Sequence, residues 1–140
     1  GHLLTLRIRL SQARLALASG KPNGVRDVID GLRKLGPPAE ATLAQALVHE
    51  GDGFIARARE RDAIAPLEEA VRLRERLLWS ESWELAEARA RLGEARLASG
   101  DSSGAALLTT AAQTLRSQLG AAHPQSARAA RALGTLAAND

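Results

Sequence analysis

The stretch Leu92-Gly93-Glu94-Ala95-Arg96-Leu97-Ala98-Ser99-Gly100-Asp101 decides the fold, because it joins the end of one predicted helix to a Gly-Asp turn and the next helix. Parts of it recur along the chain. Leu97-Ala98-Ser99-Gly100 is repeated as Leu17-Ala18-Ser19-Gly20, and Leu92-Gly93 returns 41 residues later as Leu133-Gly134. Self-similarity at this spacing is typical of architectures whose repeated units stack into a solenoid.

The same offset pairs small and apolar residues without a gap in the second half of the chain. The pairs are Leu67 with Leu108, Ala70 with Ala111, and Ala86 with Ala127. Residues 62–100 and 103–140 are therefore interpreted as two copies of one helix-turn-helix unit.

The composition favours one domain of closely packed helices. The chain has 140 residues, of which 45% are hydrophobic and only 2% are aromatic, so the interior must consist of Leu, Ala, Val and Ile. Cys is absent, which excludes disulfides, thiolate metal ligands and Cys nucleophiles. No run approaches the roughly 18 apolar residues that a membrane span needs. We expect a soluble chain without membrane insertion, and a cytoplasmic location because we find no targeting segment.

The first two residues and the lack of Met suggest a segment of a larger protein. Gly1-His2 resembles the remnant of a cleaved expression tag, and the sequence contains no Met. We therefore predict that residues 3–140 form a single helical domain excised from a longer chain.

Apolar residues spaced three and four apart predict seven helices separated by short turns. Their expected ranges are 3–19, 23–35, 39–60, 62–78, 83–99, 103–119 and 124–138. Asn23, Asp62 and Ser82 are the predicted N-caps of the second, fourth and fifth helices. The third helix contains Gly51-Asp52-Gly53, and we expect it to continue through them, with Gly53 in the position that Gly93 has in the next unit.

These residues resemble the tetratricopeptide repeat, in the variety with a longer inter-repeat connection found in kinesin light chains and in bacterial multidomain signalling proteins. The matching positions are Leu92-Gly93, Gly100-Asp101, Ala105, Ala112, Leu119-Gly120 and His123-Pro124. The resemblance implies an all-α, right-handed solenoid of about three and a half repeats, at 3–36, 37–79 and 80–120, followed by a final helix at 123–138. It also implies a non-catalytic module that binds another protein or a peptide, within a bacterial signalling or regulatory protein.

In this family the first helix of each repeat lines a concave binding surface, which implies a set of partner-binding positions here. They are Arg7, Arg14, Glu50, Arg57, Glu87, Ala90, Glu94, Leu97, Arg128 and Arg131. Plain exposure to solvent is an equally good interpretation of each residue taken alone.

Trp79 and Trp83 lie at the edges of one predicted turn and are candidate aromatic anchors for a partner. The favoured interpretation is that both rings fill the core between the second and third repeats, because such packing needs no ligand.

The sequence contains no pattern that predicts catalysis, a metal site or a cofactor site, so we expect a non-enzyme. His49 is interpreted as an ordinary helix residue and His123 as part of a turn and helix cap. The net charge of +3 comes from arginines interspersed with acids, which disfavours nucleic acid as a partner. An Arg-lined solenoid that binds nucleic acid and a helical accessory domain of an enzyme remain the alternatives. We also expect a weak homodimer through the terminal helices, at the Leu3-Leu4-Leu6 end or through the last helix.

Overall fold

The computed structural model describes residues 2–18 and 22–138; within these ranges, the side chains of residues 2–3, 13–14, 16–18, 22–24 and 136–138 are not described. The described residues are all-α and contain no strand. The helices are α1 His2–Ala18, α2 Pro22–Leu35, α3 Glu40–Ala56, α4 Glu60–Leu77, α5 Trp83–Ala98, α6 Gly104–Leu119 and α7 Pro124–Ala138, with a 3₁₀ turn at Pro37–Ala39 before α3.

Two of the predicted N-caps are wrong and one is confirmed. The α2 helix already includes Pro22, so Asn23 lies inside it, and α4 begins at Glu60, which places Asp62 in its first turn. Proline is favoured in a first helical turn because it needs no hydrogen-bond acceptor there. Ser82 does cap α5, since its hydroxyl oxygen accepts a hydrogen bond from the Leu85 backbone N–H at 3.5 Å.

The α3 helix runs without a break through its two glycines, as expected, but Gly51 rather than Gly53 makes the close contact. A Cβ on Gly51 would lie 2.5 Å from Cγ of Leu67 in α4, whereas the nearest atom to a Cβ on Gly53 would be a nitrogen of Arg57 at 3.5 Å. Gly51 therefore corresponds to Gly93, which packs against Leu108 in the same way.

The α3 helix ends at Ala56, four residues before its predicted end. Ala58 follows in the left-handed region with φ of 58°, and the Arg59 N–H donates to the Phe54 carbonyl at 2.8 Å. Gly100 closes α5 in the same way, with φ of 90° and a hydrogen bond from the Asp101 N–H to the Arg96 carbonyl. This pattern satisfies carbonyls at a helix C-terminus and normally uses glycine.

The core is built almost entirely from aliphatic side chains, and each helix packs chiefly against the helices next to it in the chain. One buried cluster joins α2, α3, α4 and α5 around Ile29, Leu47 and Leu67. A second joins α5, α6 and α7 around Leu108 and Leu115. The odd-numbered helices also contact one another in the pairs α1 with α3, α3 with α5, and α5 with α7.

Over the described ranges, no helix is both long enough and apolar enough to cross a membrane.

Candidate functional site

A row of polar side chains joins α3, α5 and α7. The Asp52 carboxylate accepts from Nε of Arg91 at 2.9 Å and lies 3.3 Å from Nη2 of Arg128. Arg128 Nε also donates to Glu94 at 3.3 Å, and Arg91 Nη2 donates to the side-chain oxygen of Gln125. Because each contact links residues from different helices, this row fixes how the three helices sit together.

Arg91 is the buried member of this row, with its side chain only 4% exposed. A buried guanidinium is stable only when its charge is compensated, and Asp52 supplies that charge. The remaining nitrogen of Arg91, Nη1, is buried and has no acceptor within the part of the chain that the structure describes. Sequence analysis gave no role to Asp52 or Arg91, which lie 39 residues apart.

Beside this row lies a groove of about 560 Å³, here called the α3–α5–α7 groove. Its polar lining includes Gln45 and Asp52 of α3, Glu87 of α5 and Gln125 of α7. Its apolar lining includes Leu77, at the end of α4, together with Leu78 and Trp83. The groove thus has both apolar and polar lining residues.

The two tryptophans are exposed, so the favoured prediction that both are buried in the core is wrong. Trp79 is 61% exposed and Trp83 is 36% exposed, and Leu77 beside them is 43% exposed. The reason is that α4 ends at Leu77 and the connection to α5 lies at the surface. Ser82 is the N-cap of α5, and Trp83 is the first residue of that helix. The four-residue spacing of the tryptophans therefore spans a surface connection rather than one turn of a helix.

A largely buried ion pair lies in the lining of the groove. Arg74, at the end of α4, is 7% exposed, and its Nη1 donates to the Glu84 carbonyl at 2.6 Å and to Glu87 at 3.0 Å. Glu87 lines the groove, and its carboxylate is already paired with Arg74.

A second and larger groove, of about 980 Å³, lies among α2, α3 and α4 and is here called the α2–α3–α4 groove. Its lining includes the predicted site residues Glu50 and Arg57, and also Phe54. Neither Trp79 nor Trp83 lines it. In one of its walls, Glu69 holds Arg33 through two hydrogen bonds of 2.5 and 2.8 Å, and this bonding raises the pKa of Arg33 above its ordinary value.

The predicted site residues therefore do not form one surface. Leu97 packs against the second core cluster and Ala90 is buried in it, so both have a packing role instead. Arg128 and Glu94 pair with each other, and Arg131 is exposed on α7. Arg7 is exposed on α1 beside Leu4 and Ile8, whereas the Arg14 side chain lies outside the described residues.

The two histidines of the helical region lie in separate places. His123 caps α7, since its Nδ1 accepts from the Gln125 backbone N–H at 3.1 Å, which confirms its predicted cap role. His49 lines both grooves at their edges. In the described part of the chain no three His, Asp or Glu side chains lie where they could hold a metal ion together.

A scan against protein-family models finds no match to this chain, and a search of curated proteins also finds none.

Proposed function

We propose that this chain is a right-handed solenoid of tetratricopeptide-type repeats that binds a segment of another protein in the α3–α5–α7 groove. The observation that carries this proposal is the exposure of Leu77 and Trp83, which line that groove, and of Trp79 in the connection between α4 and α5. Large exposed aromatic side chains are uncommon on a free surface and are enriched where a partner binds. This chain has only three aromatic residues and exposes its two tryptophans together.

Equivalent contacts in successive units support the repeat architecture. Gly51 packs on Leu67 between α3 and α4, and Gly93 packs on Leu108 between α5 and α6. Left-handed residues close the first helix of the α3–α4 and α5–α6 pairs, at Ala58 and at Gly100. Because the odd-numbered helices also contact one another in order, stacked helix pairs account for the observed contacts.

The role is one of binding rather than catalysis. Of the acids that line the groove, Asp52 is paired with Arg91 and Arg128, and Glu87 is paired with Arg74. The third, Glu84, accepts a hydrogen bond from the Ser82 hydroxyl at 2.7 Å. Because these carboxylates are engaged within the chain, binding is favoured over general acid–base catalysis. The resemblance to tetratricopeptide repeats supports a place beside signalling or regulatory domains of a bacterial cytoplasmic protein.

The experiment is a selection of phage-displayed random peptides on the wild-type chain, followed by calorimetric titration of the selected peptides. We expect Trp83→Ala and Leu77→Ala to weaken binding at least about tenfold each, the loss typical of a central contact residue. Binding should also shift the tryptophan emission. Arg116→Ala, an exposed position on α6, serves as the control and should leave the affinity unchanged. Peptides that bind but ignore both groove substitutions would exclude this groove as the binding site.

A further inference from the structure

The α2–α3–α4 groove carries an excess of positive charge. Five arginines line it, Arg26, Arg33, Arg57, Arg59 and Arg72, against three acidic residues, Glu50, Asp62 and Glu69. Clefts lined by one sign of charge between low-dielectric walls attract ligands of the opposite sign.

Three of the five arginines are neutralised by the three acids. Arg26 pairs with Glu50 at 3.3 Å, Arg59 pairs with Asp62 at 2.8 Å, and Arg33 is held by Glu69. The Arg26–Glu50 pair joins α2 to α3, and the Arg33–Glu69 pair joins α2 to α4. The Arg59–Asp62 pair joins the residue before α4 to the first turn of that helix. They keep the walls of the groove in place and leave the other two guanidinium groups available.

Arg57 and Arg72 are those two groups. Both are exposed, and neither has a carboxylate partner among the residues that the structure describes. Arg57 donates only its Nε, to the Gly53 carbonyl at 3.1 Å, so its terminal nitrogens remain free to donate to a ligand. Guanidinium groups with free terminal nitrogens bind carboxylates through two parallel hydrogen bonds.

The apolar part of the lining lies directly beside these charges. The guanidinium carbons of Arg57 and Arg59 lie 5.3 and 5.1 Å from the centre of the Phe54 ring. Such contacts hold the two side chains along the ring. Ala56 and Ala65, which are both exposed, add further apolar surface. A ligand that fits this lining has an apolar group next to its negative charges.

We infer that the α2–α3–α4 groove binds an acidic peptide segment of a partner protein, whose carboxylates bind Arg57 and Arg72 and whose apolar side chain packs on Phe54. A peptide is favoured over nucleic acid because Glu50, Asp62 and Glu69 interrupt the positive charge and would repel a continuous run of phosphates. A peptide can place neutral residues opposite these acids. This groove shares only His49 with the α3–α5–α7 groove, and the inference does not depend on the first proposal.

The test uses the complete chain and a fluorescein-labelled Glu-Glu-Leu-Glu-Glu peptide, with binding followed by fluorescence anisotropy at low and physiological salt. We expect saturable binding that weakens as salt rises, because exposed charges are screened over about 8 to 10 Å at physiological ionic strength. The double variant Arg57→Glu/Arg72→Glu should lose at least about tenfold in affinity. The matched control is Arg9→Glu/Arg116→Glu, which makes the same charge change at exposed positions outside the groove.

Further measurements test where the peptide binds, whether its negative charge is required, and whether nucleic acid binds instead. Phe54→Ala should lower the affinity for the acidic peptide. Circular dichroism and thermal unfolding verify that each variant is folded. A labelled Lys-Lys-Leu-Lys-Lys peptide should not bind. Tryptophan emission of the chain should not change on binding, because neither tryptophan lines this groove. The inference is overturned if the acidic peptide does not bind at low salt, if both double variants weaken it equally, or if labelled single-stranded or duplex DNA binds more tightly than the peptide.

Discussion

Gly93 in α5 and Gly104 in α6 bring their backbones so close that a Cβ on Gly104 would lie 2.5 Å from the Gly93 carbonyl oxygen. The converse contact is almost as short, since a Cβ on Gly93 would lie 2.9 Å from the Gly104 carbonyl oxygen and 3.0 Å from the Leu108 nitrogen. Gly93, Ala105 and Ala112 are the small residues that match the repeat pattern in the sequence. The structure shows that Gly104 is the residue in closest contact.

We predict that Gly93→Ala destabilises the fold by about 1–3 kcal/mol, because the added methyl group meets backbone atoms that cannot move aside. Gly134→Ala is the control, since Gly134 is inside α7 with no atom within 4 Å of the added Cβ. There the higher helix propensity of alanine should stabilise the chain by about 0.5–1 kcal/mol. Urea denaturation measures both. Changes of the same sign in the two variants would contradict the close approach.

We predict that Ala58→Gly stabilises the chain, although this exchange normally destabilises a helix. Ala58 has φ of 58°, a conformation that costs a residue with a Cβ about 1 kcal/mol or more and costs glycine little. The reverse exchange Gly100→Ala, at φ of 90°, should destabilise the equivalent turn. Thermal unfolding of both variants checks the prediction. A lower melting temperature for Ala58→Gly would show that Ala58 is not in this conformation.

We predict that Asp52→Ala destabilises the chain by about 1–3 kcal/mol, because it leaves the buried Arg91 guanidinium without its counter-charge. The control is Asp62→Ala, which breaks the exposed pair with Arg59 and should change stability by less than about 1 kcal/mol. A double-mutant cycle with Arg91→Met isolates the coupling. If the losses of unfolding free energy in Asp52→Ala and Arg91→Met add up to the loss in the double variant, the Asp52–Arg91 pair does not hold α3 and α5 together.

We predict a low carboxyl pKa for Asp101, below the ordinary value of 3.8, because Ser103 donates to it through its hydroxyl at 2.7 Å and its backbone N–H at 3.0 Å. A lowered pKa in the folded state stabilises the fold above the unfolded-state pKa of about 3.9. This contribution disappears as the pH falls through the folded-state value.

The check is a carboxyl NMR titration of the wild type and of Ser103→Ala, which removes the larger of the two causes and should raise the Asp101 pKa toward 3.8. Thr109→Ala removes a hydroxyl that donates to the Ala105 carbonyl instead, and it should leave the Asp101 pKa unchanged. An Asp101 pKa that does not respond to Ser103→Ala would contradict the proposed hydrogen bonds.

Self-association through α1 stays a prediction, and the structure supplies residues for testing it. Leu4, Ile8 and Leu15 are 59%, 50% and 73% exposed along this helix. We expect sedimentation equilibrium to detect a weak dimer that Leu4→Glu/Ile8→Glu abolishes, since paired apolar surface contributes about 25 cal/mol per Å². Gln12→Glu, also exposed on α1, is the charge control. A wild-type chain that is monomeric at high concentration would exclude this association.

The sequence by itself determined the all-α class, the number of helices, the Ser82 cap and the continuity of α3. These features depend on local patterns, namely apolar residues at helical spacing and residues that start or end a helix, and such patterns are visible within a few positions of the chain.

Only the tertiary structure decided which glycine of α3 makes the close contact, which charges pair and where the tryptophans lie. Gly51 and Gly53 are two residues apart and so point about 200° apart on a helix, a difference that an alignment of repeats accurate to two residues cannot resolve. The partners of Arg91 are Asp52 and Gln125, which lie 39 and 34 residues away in the sequence and on other helices. Arg128 and its partner Glu94 are also 34 residues apart. Burial and pairing depend on how the helices cross in space, and local sequence patterns carry no information about that geometry.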